Sequence, residues 1–415
     1  MPRSSASSQP SRADALDQIR EGQLRRLRQR LPEVLHSNSF YRERLHDVRG
    51  WDDFERLPLL TKEELNADQA AWPPFGTNLT YPLDRYTRLH QTSGTGGSRP
   101  LRWLDTEESW SWWESIWAGY VYRAAEVVAR DRVFMAFSFG PFIGFWSAFA
   151  GAERLGCLCI SGGAMNSEQR VRAIMDLAPT VLCCTPTYAL RLAETALEIG
   201  VDLAASAIKM TIHAGEPGAS IPATKATIER AYGARCYDHT GMTELGPTGY
   251  TCWAGGGVHL IEEEFIFEVV DDELVATNLG RWGSPVIRYR TGDRVELSRE
   301  PCECGSPFAK LVHGIRGRVD DMFTVRGVNL YPSQVEDIVR RHPEVVEYVI
   351  EHRRLREMDE VTLLLEIADG RAAAPEVIAA ELRQALGARI DCRAVPPGTL
   401  PRAELKAKRL LRVDD

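Results

Sequence analysis

Lysine is scarce in this 415-residue chain: of 50 basic residues only six are lysine, at 62, 209, 225, 310, 406 and 408. Arginine fills nearly every other positive role, so a lysine that persists marks a place where a planar guanidinium cannot replace a compact ammonium. Long apolar runs are lacking too, and none approaches a membrane span. The opening stretch MPRSSASSQPSRADALDQ has no apolar signal-peptide core. A cytoplasmic protein is expected, with no membrane partner and with cysteines reduced or metal-bound rather than disulfide-paired. Positive charge is not in excess: a net charge of −8 and a pI near 5.7 exclude a nucleic-acid-coating role and leave room for a local basic patch.

What is present is a globular composition, 44% hydrophobic and 26% charged, in a chain too long for one core. Residues 1–13 are low in complexity and read as a disordered tail. Residues 15–46 carry helical periodicity with a break near Pro32, and PLLTKEEL reads as a helix start with Thr61 at the cap and Glu64 three residues on. Four tryptophans within 107–130 form a packing face on a helical pattern.

From 131 to 240 the strands RVFMAFSF, CLCIS, VLCCT, IKMTIHA and ARCYDH alternate with helical segments. That pattern predicts an α/β fold with a doubly wound, mainly parallel sheet and ligands at the carboxyl ends of its strands. VHLIEEEFIFEVV, ELVAT and VIRYR predict a β-rich subdomain, and a small α+β unit follows GRVDDM. The expected division is a tail at 1–13, a large domain at 14–319 and a small mobile domain at 320–415.

Several loops carry polar chemistry. QTSGTGGSRP (91–100) has the glycines and hydroxyls of a polyphosphate loop, lies between two strands on a hairpin, and lacks the Walker lysine. An ordinary Gly/Ser turn reads the same way. HAGEP (213–217) and YDHTGMTELGP (237–247) follow strands, and Glu244 is placed to hold Mg²⁺ through phosphate or water. In RYRTGD, Asp293 suits a ribose diol, although turn aspartates are common. GRVDD and LPRAELKAKR complete the set.

In this order the motifs resemble the adenylate-forming superfamily of acyl- and aryl-CoA ligases, luciferases and nonribosomal adenylation domains. They are most similar to its phenylacetate–CoA ligase branch, from about residue 15 onward. SFYRERL, LPLLTKEEL, SFGPFIGFW, PCECG and GRVDDMFTVRGVNLYPSQVE carry the likeness further.

The resemblance implies ATP-dependent formation of an acyl-AMP from an aromatic acid, then transfer to coenzyme A. It makes Thr92, Ser93, Gly94, Thr95, Gly96 and Gly97 the phosphate loop, with Arg99 approximately where the family has a lysine. Gly215, Glu216 and Pro217 border the adenine, and Tyr237, Asp238 and His239 join the nucleotide site. Thr243 and Glu244 meet the α-phosphate and Mg²⁺, Asp293 the ribose, and Arg318 ribose or phosphate. Asp320 matches the hinge. Lys406 matches the catalytic lysine carried in by domain closure, in a Leu-Lys rather than Gly-Lys setting, with Lys408 the runner-up. Phe139, Gly140, Phe142, Ile143, Gly241 and Met242, together with Phe145, are candidate walls of the acid pocket; sheet–helix core is the other reading of the aromatic ones.

The nine cysteines divide. Cys157, Cys159, Cys183, Cys184, Cys236 and Cys392 lie on apolar strands or singly and read as inert core thiols. Cys302 and Cys304, with Cys252 and His259, supply a Cys₃His set suited to structural Zn²⁺. Two alternatives remain open here: an aryl-acid adenylating enzyme that loads a carrier protein, and a nucleotide-binding regulator without turnover. The acid, the acceptor thiol and the choice between monomer and homodimer are not encoded in any motif.

Overall fold

The computed structural model describes residues 12–92, 100–318, 321–325, 328–355, 358–368, 374–402 and 409–413. Most of the expected tail therefore lies outside the described residues, as do Ser93–Arg99, Asp320, Lys406 and Lys408.

Four helices open the fold: α1 (Arg12–Ser37), α2 (Ser39–Arg42), α3 (Trp51–Glu55) and α4 (Lys62–Ala71). The break expected near Pro32 is not there. α1 runs through Pro32 because Leu27, Leu31 and Val34 are buried on one continuous face. The chain turns instead at Asn38, whose side chain caps α2 by accepting the Phe40 amide at 3.1 Å. At α4 the capping box is complete, with Glu64 N donating to Thr61 Oγ1 at 3.3 Å and Thr61 N donating to Glu64 Oε2 at 2.8 Å.

The Gly/Ser/Thr loop joins two antiparallel strands, β1 (Tyr86–Gln91) and β2 (Arg102–Thr106). The tryptophan-rich segment follows as α5 (Glu107–Ile116), which widens into a π-helical turn over Trp117–Tyr122. Trp110, Trp112, Trp113 and Trp117 are all buried, as a packing face requires.

The five strands expected between 131 and 240 form as β3 (Arg132–Met135), β4 (Leu158–Ser161), β5 (Val181–Cys184), β6 (Met210–His213) and β7 (Arg235–Met242). They pair in parallel in the order β4-β3-β5-β6-β7. The helices between them are α6 (Ile143–Leu155), α7 (Ser167–Leu177), α8 (Pro186–Glu198) and α9 (Pro222–Tyr232). β8 (Gly246–Tyr250) and β9 (Val258–Leu260) extend this sheet in antiparallel fashion.

The single strand read in VHLIEEEFIFEVV is two, β9 and β10 (Phe265–Val270). Polar groups of the intervening turn are claimed elsewhere: Gln23 Nε2 donates to the carbonyls of Glu262 (2.7 Å) and Phe265 (2.8 Å), and Trp112 Nε1 to Glu264 Oε2 (2.6 Å). β11 (Glu273–Asn278), β12 (Tyr289–Arg294) and β15 (Gly317–Arg318) join β10 in a second sheet. Between them in the chain, β13 (Leu297–Ser298) and β14 (Lys310–Leu311) complete the edge of the first sheet.

A separate apolar core begins at Phe323 and ends at Leu410. It is built from the hairpin β16 (Phe323–Val325) and β17 (Val328–Leu330), helices α10 (Pro332–Val339) and α11 (Ala374–Leu386), and four further strands. Those strands are β18 (Val345–Leu355), β19 (Met358–Ile367), β20 (Asp391–Val395) and β21 (Leu410–Val413), in the order β20-β19-β18-β21.

Candidate active site

Loops at the carboxyl ends of β5, β6 and β7 meet the second sheet around one cleft. Glu244, in the turn between β7 and β8, is 5% exposed. Asp293 on β12 is 7% exposed and is the register partner of Arg318 on β15, whose Nη1 stands 3.8 Å from Asp293 Oδ1. That separation is an ion pair without a hydrogen bond, so the Asp293 oxygens keep lone pairs for other donors. Burial pushes the Asp293 carboxyl up from 3.8 to about 7; Arg318 opposes the rise, and Glu244, Glu273 and Asp321 add to it.

Lys62 enters the same cleft, and the motifs gave it no role. Its Nζ lies 4.0 Å from Glu244 Oε1. The placement follows from Leu60, which bridges to Tyr289 while exchanging backbone hydrogen bonds with Arg288 and Arg290 (2.8 Å each), so that α4 starts beside RYRTGD. A cation on the first turn of a helix opposes the helix dipole. That local conflict, in a chain so poor in lysine, is the signal by which sequence alone could have found it.

Arg281 is a second residue that the motifs missed. It is fully buried and holds Asp105 through two hydrogen bonds, Nε to Oδ1 at 2.7 Å and Nη2 to Oδ2 at 2.6 Å. The guanidinium also stacks near Trp103 and Trp113, with centroids 5.2 and 5.3 Å away. Its Nη1 donates to the carbonyls of Thr243 and Glu244. Arg281 therefore fixes the backbone of the very pair expected at the phosphate.

Three residues expected at the nucleotide have partners of their own. Thr92 closes the neck of the phosphate loop, because its Oγ1 accepts the Leu101 amide at 3.0 Å. Asp238 spends its carboxylate on the 218–220 loop, accepting the amides of Gly218 (3.0 Å), Ala219 (2.7 Å) and Ser220 (2.7 Å) and the Ser220 hydroxyl (2.8 Å). It anchors that loop to β7. His239 packs on Trp117, with ring centroids 4.3 Å apart, and so faces the tryptophan-rich helix.

Other expected residues stand near the cleft. Glu216 accepts the Thr187 amide at 3.0 Å and ties the Gly215–Pro217 turn to the N-terminus of α8; Gly215 needs its left-handed φ of +97°. Tyr237 is buried in the strand above this turn. Gly241 and Met242 end β7, with Gly241 exposed, and Thr243 opens the turn that follows.

The aromatic loop also forms a cluster. Phe139 rests on Trp146 (4.6 Å) and Phe149 (5.6 Å), and Phe137 stacks on Phe145 at 3.4 Å. Phe142 and Gly140 stay partly open, whereas Ile143 is buried at 1% exposure. The Gln91 amide donates to Pro141 O at 2.8 Å, which sets this loop beside the phosphate loop.

At the far edge of the large sheet, Cys252, His259, Cys302 and Cys304 bring their ligand atoms within 4.8 Å of one another. Cys252 Sγ and Cys302 Sγ are 3.7 Å apart, and Cys304 Sγ lies 3.3 Å from His259 Nε2.

Comparison with known proteins places this geometry. Residues 327–413 match the model of the AMP-binding enzyme C-terminal domain. The chain is 30% identical to the phenylacetate–coenzyme A ligase of Thermus thermophilus, over 94% of this chain and 95% of that one. It belongs to the phenylacetate–coenzyme A ligase family of adenylate-forming enzymes. A solved relative is the 2-hydroxyisobutyryl-CoA ligase in its postadenylation state, 29% identical, with a TM-score of 0.90 over 100% of this chain and 94% of that one. The same ligase in its thioesterification state, again at 29% identity, 100% and 94% coverage, gives 0.71. The two domains of this family member thus stand in the arrangement nearer the postadenylation state.

Two measurements test the site. Arg281→Met leaves Asp105 buried without its partner, so the melting temperature should fall by the equivalent of about 3–5 kcal/mol; a variant as stable as the parent removes Arg281 from this role. For Asp293, the unfolded carboxyl titrates near 3.8 and the folded one near 7, so the native state binds more protons between them. Its stabilising contribution is full below about pH 4 and is lost as pH rises toward 7, at about 1.4 kcal/mol per pH unit. Without nucleotide, Asp293→Asn should match the parent near pH 4 and exceed it above pH 7; parallel melting curves across that range contradict the shift.

Proposed function

We propose that this protein activates an aromatic carboxylic acid with ATP and passes the acyl group to coenzyme A. The family's chemistry divides into two half-reactions. A carboxylate oxygen attacks the α-phosphorus, the bond to the bridging β-phosphate oxygen breaks, and pyrophosphate leaves. The thiolate of coenzyme A then attacks the acyl carbon, and AMP departs with the bonding pair. What carries the reading is the convergence of Glu244, Asp293 and Arg318 at the carboxyl end of a parallel sheet, in a chain alike over nearly its full length to phenylacetate–coenzyme A ligases.

In this reading Asp293 accepts from the ribose hydroxyls, Arg318 reaches ribose or phosphate, and Thr243 and Glu244 face the α-phosphate. Mg²⁺ bound through Glu244 would supply charge neutralisation on the phosphates. Lys62, beside Glu244, adds positive charge to the same region. The aromatic preference rests on the Phe137–Phe149 cluster beside the phosphate loop. The hinge is proposed at Asp320, between a large domain ending at 319 and a small one from 320. The protein is proposed to work in the cytoplasm; no helix among the described residues is long and apolar enough to cross a membrane.

Lys406 is proposed as the cation that bridges the acid carboxylate and the α-phosphate. Lys406→Ala should lower pyrophosphate release by on the order of 10²-fold, as for loss of a transition-state charge partner. Thioester formation from supplied acyl-AMP should survive. Normal adenylation in this variant, with loss in Lys408→Ala, reassigns the role to Lys408. A pyrophosphate-release screen of aryl acids, with coenzyme A compared against a phosphopantetheinylated carrier, fixes the acid and the thiol.

A structural zinc ion is proposed at Cys252, His259, Cys302 and Cys304. Tetrahedral coordination with Zn–S near 2.3 Å and Zn–N near 2.0 Å puts sulfurs about 3.8 Å apart and sulfur about 3.5 Å from nitrogen. The separations of 3.7 and 3.3 Å fit that shell. With four protein ligands no position is left for substrate, so the role is to clip the turn between β13 and β14 to β9 and the end of β8. Protein purified without added zinc should carry about one zinc per chain, and Cys302→Ser should lose metal and melting temperature together. Zinc near zero, with unchanged stability in Cys302→Ser, rejects the clip.

A further inference from the structure

Helix α9 of the large domain lacks a cap of its own. An α-helix leaves its first amides without an internal acceptor, and a Ser, Thr, Asp or Asn side chain just before the first turn supplies one. α4, α5, α7 and α8 are capped in this way, by Thr61, Thr106, Asn166 and Thr185. α9 (Pro222–Tyr232) follows Ile221 instead, whose side chain accepts nothing. Pro222 has no amide to satisfy, so Ala223 N is the first donor that needs a partner.

That partner comes from the other domain. Asp337 on α10 accepts the Ala223 amide through Oδ1 at 3.3 Å. Its Oδ2 accepts from Arg341 Nη2, four residues further on, which holds the carboxylate in this pose. A negative charge here also meets the positive end of the α9 dipole. Ser333, four residues before Asp337, shares its face of α10, and the Ser333 hydroxyl donates to the Arg316 carbonyl of the large domain. Tyr331, at the start of α10, presses on Gly317, where a Cβ would fall 2.3 Å from Tyr331 Cδ1. Val335, Ile338 and Val339 on the other face are buried in the small domain's own core. One face of α10 thus builds its domain, and the other engages the large one.

We propose that Asp337 is a positioning residue for the first half-reaction: as a cap on α9 supplied across the domain boundary, it holds the small domain in the arrangement that serves acyl-AMP formation. The proposal rests on the acid-activating reading above. The domains stand nearer the postadenylation than the thioesterification arrangement of the solved relative, and the cap belongs to the arrangement in which it is made. A contact present in one arrangement and lost in another biases the equilibrium between them by its own free energy. Replacing a capping side chain by alanine shifts a helix equilibrium about fivefold, which is the bias expected here.

Two readouts on the full chain test it. Deuterium uptake by residues 221–232 reports the cap without any substrate. Asp337→Ala should quicken exchange at the start of α9 by about fivefold, and Asp337→Asn, which keeps an acceptor oxygen, should stay within about twofold of the parent. The second readout is a ratio of rates: pyrophosphate release from ATP, magnesium and phenylacetate, against thioester formation from supplied phenylacetyl-AMP and coenzyme A. The most active aryl acid of the screen above and its acyl-AMP replace this pair if phenylacetate is not used. In Asp337→Ala the ratio should fall by about threefold or more, and Asp337→Asn should recover most of it. A general loss of folded protein lowers both rates together and leaves the ratio where it was. Unchanged exchange in Asp337→Ala removes the cap, and an unchanged ratio despite faster exchange removes the positioning role. Either result overturns the proposal while leaving acid activation intact. Absence of pyrophosphate release by the native chain with every aryl acid overturns the acid-activating reading, and this proposal with it.

Discussion

The buried Arg281–Asp105 pair is the contact on which the rest of the active site depends. Both side chains have no solvent exposure, and two charges removed from water are costly unless each finds partners. Here they do. Asp105 takes two hydrogen bonds from the guanidinium, with His90 Nδ1 a further 3.6 Å from its carboxylate. Arg281 lies between two tryptophans and donates onward to the Thr243 and Glu244 carbonyls. One ion pair thus joins the phosphate-loop hairpin, through β2, to the turn that carries Glu244. A hydrophobic pair could fill the volume, but it could not fix two carbonyls of a loop.

The same device recurs around the segment that bears Lys406. Arg402, on its near side, makes hydrogen bonds of 3.0 and 2.7 Å to the two carboxylate oxygens of Glu366. Arg409, on its far side and 8% exposed, is held by Glu347 and by the Tyr348 carbonyl at 3.1 Å. Both flanks of the segment are therefore pinned to the small domain's sheet by charge-assisted hydrogen bonds. The arginine richness of the chain has a structural use here, because the fork of a guanidinium suits pinning a carboxylate.

The fold was legible where a local pattern dictated it. The parallel strands β3 to β7 follow from short apolar runs broken by helices, and the capping box at Thr61–Glu64 is written in four residues. Pro32 misled because burial of Leu27, Leu31 and Val34 outweighs one missing backbone donor. The site was legible only in part. Glu244, Asp293 and Arg318 sit in motifs whose spacing survives in one dimension. Arg281 and Lys62 act through partners 176 and 182 positions away (281−105, 244−62), and such pairings leave no trace in a window of sequence. For Asp238, likewise, a motif gives the residue's company but not the loop amides that its side chain binds.

Polar contacts also cross between the two domains. Within each domain the anchors are short and buried. Across the boundary the described polar contacts include the Ser333 hydroxyl donating to the Arg316 carbonyl, Ala223 N donating to Asp337 Oδ1 at 3.3 Å, and Arg402 Nε at 3.8 Å from Glu194 Oε2. Arg402 and Glu194 are 26% and 29% exposed, so water can replace either partner of that pair at little cost. Each domain keeps its own anchors, Arg281–Asp105 in the large one and Arg402–Glu366 in the small one. Glu244 is thereby tied to the large domain's core, and the residues on either side of 403–408 are tied to the small domain's sheet.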